Sequence, residues 1–509
     1  MNKKIVIVGG GTAGWLTAGV LAAEFAGGVE ITLIESPDVN PIGVGEGTWP
    51  TMRSTLKRIG ISETTFLREC SASFKQGSKF VGWRTGEPND FYYHPFSLPP
   101  SFNEVDYHKL WCESGDVPFD QVAGIQSRLC ELGLAPKTIT VPEYAGALNY
   151  GYHLNAGKFA ALLQRHCTEV LGVKHLLDHV VSVDLGDNGD IDAVVAENNG
   201  RLEAYLFIDC SGGRSLLLGE CLGVGFIKCD QYSINDSALA VQLPYADDSE
   251  EVASTTIATA QECGWTWDIG LASRRGVGYV YSSAHSSQDQ AADCLQHYIQ
   301  STAPHVSEQN INIRKFDIRP GYRERFWHKN CVAVGMAAGF IEPLEASALA
   351  LVELSAAMIR DEMPENRAQM DVVANKFNQV FQYRWQRIVE FLKLHYVLSE
   401  RRDTEYWRDA VSENAIPGEL REKLLLWRSR PPYLRDFMQV EELFPAASYA
   451  YVLFGMGFVS SSDFSRKSDA AKLQQMLREE QKKFLNYQKA MPGNRELLTS
   501  IAQYGLSKV

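Results

Sequence analysis

The sequence predicts an α/β chain with α+β insertions: a nucleotide-binding βαβ start, a second β-sheet that interrupts it, and a helical layer toward the C-terminal end. Three observations carry this. The apolar run Ile5-Val6-Ile7-Val8 leads into Gly9-Gly10-Gly11-Thr12-Ala13-Gly14, two later apolar runs end in small residues near 210 and 335, and beyond Pro343 the pattern becomes long and helical. Glycines at G-x-G-x-x-G spacing let the backbone turn tightly and approach a pyrophosphate at the N terminus of the next helix.

Residues 5–8, a helix over about 12–25 and a strand over 30–34 make one βαβ unit, with Gly9, Gly11, Thr12, Ala13 and Gly14 as candidate dinucleotide contacts. Glu35 ends the second strand twenty-one residues after Gly14, where an acid takes a ribose hydroxyl. Any parallel α/β unit with a terminal Glu reads the same way. Leu206-Phe-Ile-Asp-Cys-Ser-Gly-Gly213 and Cys331-Val-Ala-Val-Gly-Met-Ala-Ala-Gly339 look like buried strands whose tips face the same crevice. A nicotinamide domain would close sooner, so returns near 210 and 335 favour the longer, interrupted fold used for FAD. Segments of about 75–200 and 225–330, with alternating stretches such as 277–281, form a second sheet over the flavin and complete a module spanning 1–345. Helical patterns at 346–361, 366–398, 417–427 and 468–490 make 346–509 mainly helical, with linkers at 428–432 and 460–465.

Composition narrows the partners. At 509 residues the chain exceeds the size at which one core stops growing, so two or more substructures are expected, and 45% apolar residues is ordinary for a globular enzyme. A formal charge of −13 argues against nucleic acid, which demands clustered Lys and Arg, and favours a small neutral or cationic substrate. Ten cysteines without a C-x-x-C pair suit reduced thiols in the cytoplasm and suggest no metal site. Nowhere do eighteen apolar residues run together, so no membrane segment is expected.

Mid-chain, Gly264-Trp-Thr-Trp-Asp-Ile269 places two tryptophans one residue apart. Large rigid aromatics suit a wall, although a core strand carrying Trp at period two gives the same pattern. Lys75 and, four residues on, Lys79 would face the same side of an extended chain. On residue type alone, surface lysines are the safer reading for both.

From Lys4 to about residue 460 the chain resembles the flavin-dependent tryptophan halogenases. The motifs are the glycine loop running into Trp15, Ile42-Gly-Val-Gly-Glu-Gly47, Ser73-Phe-Lys75 with Lys79-Phe-Val-Gly-Trp83, Phe91-Tyr-Tyr-His-Pro-Phe96, Trp265-x-Trp267-x-Ile269 and Phe340-Ile-Glu-Pro-Leu-Glu345. The resemblance implies a flavin monooxygenase type of FAD fold and a two-chamber reaction. Reduced FAD and oxygen give a hydroperoxide, chloride or bromide attacks it, and hypohalous acid travels through a tunnel to a lysine beside an aromatic substrate. It assigns Gly45, Glu46, Gly335 and Leu344 to the flavin, Trp265, Trp267 and Ile269 to the tunnel wall, and Lys75 and Glu345 to catalysis. His94, Phe96 and Phe444 fall to the substrate. The halide is placed at the amides of Ser347 and Ala348, at a helix N terminus suited to anions.

Departures from the family pattern bear on halide and substrate. Glu345-Ala-Ser-Ala348 stands where Glu-Ser-Thr-Gly is usual, and Gly270 replaces a usual proline. The connection from Pro431 to Phe444 is short and lacks paired tyrosines, which predicts a wider pocket and an indole-like or larger aromatic rather than free tryptophan. No second nucleotide loop is present for NAD(P)H, so FADH2 is expected from a separate flavin reductase. The apolar C-terminal helices are compatible with a homodimer. The competing reading is a single-component flavin monooxygenase that hydroxylates its aromatic substrate; Gly335-Met336 lacks the acid usual there. A binding protein that keeps the loop for structure alone is the third reading, against which Lys75 and Glu345 speak. The halogenase reading requires Lys75 to be buried.

Overall fold

In a computed structural model, residues 3–25, 27–39, 45–87, 89–307, 311–439, 441–461 and 470–508 are described, the side chains of 470–473 excepted. Residues 42–44 of the second motif, 462–465 of the expected linker and the first two residues of the 468–490 helix lie outside them. Contacts divide the chain into two units, each assembled from three segments: 1–72, 154–229 and 319–386 in the first, and 73–153, 230–318 and 387–509 in the second. Of the stretches expected as insertions, 73–153 and 230–318 form the second unit together with 387–509, whereas 154–229 and 319–386 stay with the first. The reason is physical: the βαβ start draws its neighbouring strands from near 206 and 331, so intervening segments loop out to a unit of their own.

The first unit is built on a six-stranded sheet ordered Trp327–His328, Cys331–Ala333, Leu206–Asp209, Lys3–Val8, Val29–Glu35, Lys174–Leu177. All pairings are parallel except the first. Parallel strands are covered on both faces, so they need unbroken apolar runs; Ile5, Ile7, Leu33, Phe207 and Val332 are fully buried. Helix Thr12–Phe25 follows the glycine loop and packs between Ala156–Glu169 and Ser347–Asp361. Its buried stretch runs unbroken from Gly14 to Leu21, because helices cover both of its sides.

The second unit holds a seven-stranded sheet ordered Arg314–Asp317, Ser237–Leu243, Arg275–Tyr281, Gly264–Gly270, Thr256–Ala260, Gly77–Val81, Phe91–Pro95. On one face Leu239, Tyr279 and Tyr281 pack with Leu295 and Ile299 of helix Gln288–Thr302. Trp265 and Trp267 point to the other face, since residues at spacing two share a side. A separate short ladder pairs Ser73 with His153 and Lys75 with Gly151. Among the described residues all ten cysteines are free, and no helix is long and apolar enough to cross a membrane.

Candidate active site

In the first unit, the tips of the parallel strands gather the expected nucleotide contacts. Gly9 takes φ +115° and donates its amide to Ile34 (2.8 Å), while Gly11 accepts from the Trp15 amide (3.1 Å), so the loop turns directly into helix Thr12–Phe25. A Cβ at Gly9 would fall 2.2 Å from the Cys210 carbonyl oxygen, which binds the loop closely to the second return. At Gly335, on the third return, a Cβ would come within 2.7 Å of the Ala13 side chain. Three segments far apart in sequence thus meet at one edge, as a dinucleotide crevice requires.

Glu35 lies at that edge with one oxygen 2.7 Å from His175 Nε2. Burial pushes its carboxyl above the usual carboxylate range while His175 opposes the shift. Burial likewise pushes Glu46 up to about 7. Asp209, fully buried, accepts hydrogen bonds from the amides of Ser211 (3.1 Å), Leu217 (2.9 Å) and Leu218 (2.8 Å), and so fixes the second return. Sequence reading passed over it; an acid at a strand end followed by Ser-Gly-Gly is the available signal.

Glu345 is buried, its carbonyl accepting from Trp49 Nε1 at 2.9 Å, and Leu344 is buried beside it. The next residue, Ala346, takes φ +53°, a left-handed conformation that costs an alanine about 1 kcal/mol or more and concentrates at functional sites. It forms the N-cap of helix Ser347–Asp361 and offers no side-chain hydrogen bond. The first amides of a fifteen-residue helix are therefore left without a side-chain cap, with Ser347 buried and Ala348 exposed.

In the second unit, Lys75 is 1% exposed. Its Nζ lies 5.5 Å from the centroid of the Phe96 ring, within cation–π range. Phe96 in turn lines a cavity of about 310 Å³ together with Asp120, Gln126, Asn149 and Tyr451. That volume is at the low end for small-molecule pockets. Diagonal to Lys75 on the same ladder face sits His153, fully buried, its Nε2 2.9 Å from the Thr256 hydroxyl. Burial first, and the Lys75 charge second, hold its imidazole well below the usual range, so it is neutral. Strand pairing, which sequence does not display, is what brings His153 to Lys75.

Other expectations are met differently. Lys79 does not share the Lys75 face, because the chain changes ladders at residues 76–77; it pairs instead with Glu131 at 2.5 Å. His94 is buried against Phe391 and Tyr451, whereas Phe444 stacks on Phe391 with centroids 3.8 Å apart and does not line the cavity. Trp265, Trp267 and Ile269 are all buried, and Trp265 packs with Trp83 and Trp267.

A glycine loop at the carboxyl edge of a parallel sheet, met by two later returns, defines a dinucleotide-binding flavoprotein fold. Residues 4–471 match the tryptophan halogenase family, and the chain belongs to it. It is 32% identical over 478 residues to the tryptophan 6-halogenase SttH of Streptomyces toxytricini, covering 90% of each chain. The crystal structure of a tryptophan halogenase from Shewanella frigidimarina NCIMB 400 superposes with a TM-score of 0.96 at 47% identity, covering 100% of this chain and 99% of that one. Xcc4156, a flavin-dependent halogenase from Xanthomonas campestris, gives 0.87 at 31%, covering 100% and 99%. The protein is thus an enzyme, a flavin-dependent halogenase of aromatic substrates, and none of these relatives supports the hydroxylase.

Proposed function

We propose that the protein uses FADH2, oxygen and chloride or bromide to make hypohalous acid, and that Lys75 passes the halogen to an electron-rich, indole-like aromatic held against Phe96. One observation carries this: a lysine almost wholly withdrawn from water stands beside an aromatic ring in the wall of a cavity of about 310 Å³. The residues fit a flavin dinucleotide, since Gly9 admits no side chain while at Gly11 an added Cβ would meet only open space. Bound reduced flavin with oxygen supplies the oxidising equivalents. Gly9, Gly11, Thr12, Ala13, Gly14, Glu35, Gly45, Glu46, Gly335 and Leu344 are the residues assigned to hold it.

Lys75 holds hypohalous acid by hydrogen bonding to its oxygen. The ring carbon takes the halogen and loses its proton, and the oxygen departs as water. To Glu345 we assign the carboxylate's part, orienting or polarising the acid or taking the ring proton. The uncapped amides at Ser347 and Ala348 suit a halide. Trp265, Trp267 and Ile269 serve as a wall that keeps organic molecules from the flavin. A separate reductase in the cytoplasm supplies FADH2, and a homodimer is the assembly to test by sedimentation. The deciding experiment supplies FADH2, oxygen and bromide or chloride with indole and looks for the mass of one added halogen. A hydroxylated product formed without halide, or no product from any indole, overturns the reading.

A further inference from the structure

Gly10 is a residue of the nucleotide loop that the loop's motif does not explain. It fills a position where G-x-G-x-x-G accepts any residue, and it is not among the glycines held at positive φ. Space accounts for it instead: a Cβ at Gly10 would fall 1.5 Å from Glu35 Oε2. The Glu35 carboxylate is therefore folded over the loop, where a side chain of residue 10 would otherwise stand.

Two donors keep it there. Glu35 Oε1 lies 2.7 Å from Nε2 of His175, on the neighbouring strand Lys174–Leu177, and the carboxylate also accepts from the Trp15 indole. Trp15 meets the His175 ring edge to face with centroids 5.1 Å apart, which fixes the plane of the imidazole. At the other ring nitrogen, Gln164 Nε2 stands 3.3 Å from His175 Nδ1. An amide nitrogen only donates, so Nδ1 accepts and the ring hydrogen sits on Nε2, facing Glu35. His179, the other histidine near this strand end, is engaged by Ser36 (3.3 Å) and Asp38 (3.3 Å). All of these residues belong to the first unit.

Resting on the assignment of Glu35 to the flavin nucleotide, we propose that His175 is a positioning residue for that site: with Trp15 and Gln164 it holds Glu35 over Gly10, set to accept the ribose hydroxyls of the adenosine half of FAD. A glutamate loose at a strand end would lose side-chain freedom on binding, whereas one already held does not. The clamp also keeps the acceptor charged. Burial pushes the Glu35 carboxyl above the usual carboxylate range, and His175 and Trp15 oppose that shift. A carboxylate accepts hydroxyls better than a carboxylic acid, so affinity for the nucleotide falls as pH drops through the Glu35 ionisation. Without His175 the carboxyl rises further, and the loss begins at a higher pH.

The test measures displacement of FAD from the full-length protein by ADP and by 2′,3′-dideoxy-ADP, which lacks both ribose hydroxyls. ADP is expected to bind about ten- to hundredfold tighter, the range for hydrogen bonds to a charged group, and Glu35→Ala to abolish the difference. His175→Leu keeps bulk but no donor and brings the ratio toward unity; His175→Gln, which can still donate, retains most of it. Gly10→Ala, which pushes the carboxylate aside, lowers the ratio as well. In His175→Leu the pH at which FAD affinity is half lost also moves up, a change that general loosening of the fold does not produce. A wild-type ratio near unity overturns the assignment of Glu35 to the ribose and the clamp with it. A ratio lost in Glu35→Ala but kept in His175→Leu, or kept in Gly10→Ala where the histidine variant does not fold, overturns the clamp alone, as does an unmoved pH midpoint.

Discussion

Lys75 occupies the last position of a three-residue strand, with Gly151 opposite it and the neutral ring of His153 diagonal to it. A neutral imidazole adds no competing charge. An amine in such a place can act on a small oxidant because bulk water does not compete for it. Lys75→Ala is therefore expected to lower halogenation by about 10²–10⁴-fold, the range for a lost proton-transfer or hydrogen-bonding catalyst, while peroxide release from reduced flavin continues. Lys75→Arg should not restore activity, since a guanidinium is permanently charged and differently shaped. Product analysis alongside a peroxide assay checks both, and halogenation retained in Lys75→Ala removes this residue from the mechanism. The sequence showed Lys75 only through its motif. Its relation to His153 comes from a long-range strand pairing, Ser73 with His153 and Lys75 with Gly151, which no local pattern reports.

Elements were more legible than their partners. The helix expected over 12–25 is Thr12–Phe25, the one expected over 346–361 is Ser347–Asp361, and the strand at 277–281 extends to Arg275–Tyr281. Each carries its own period of apolar residues, so local reading suffices. What the period cannot tell is which helix meets which. Helix Ser347–Asp361 buries Glu353, whose carboxylate accepts from Thr51 (3.1 Å) and Thr55 (2.5 Å) of helix Thr51–Ile59. Burial outweighs these two bonds and pushes the carboxyl up to about 7. The folded state therefore holds a proton that the unfolded chain has released between about pH 4.5 and 7. Stability from this site is highest below that window, falls as pH rises through it, and is lowest above 7. Glu353→Gln removes the ionisation and should raise stability at pH 8 by about 1–3 kcal/mol, with little gain at pH 5. Denaturant melts of both proteins at the two pH values decide it, and an equal effect at both would show that Glu353 stays ionised when folded.

At the scale of the molecule, the chain passes between the two units five times, so neither unit is a continuous piece of sequence. Motifs announce the strand returns at 206 and 331, which pair Ile5 with Leu206 and Phe207 with Cys331, and so the interruption itself; they do not announce that 387–509 joins the inserted segments in one unit. The consequence concerns the nucleotide loop. In isolation, residues 1–150 hold two parallel strands of the first sheet, Lys3–Val8 and Val29–Glu35, without the neighbours at Lys174–Leu177 and Leu206–Asp209. A two-stranded pair is marginal in water, and Gly9 would lack the Cys210 backbone that confines it. The fragment is expected to be largely unfolded by circular dichroism and not to quench FAD fluorescence, although it carries the complete G-x-G-x-x-G motif. The full chain, by contrast, should gain about 2.7 kcal/mol from FAD at a hundred times its Kd, read as a rise in Tm. FAD binding by the fragment would mean that the loop is shaped by its own helix and strand alone. Its absence, with stabilisation of the full chain, places the origin of the flavin site in contacts that only the later strands provide.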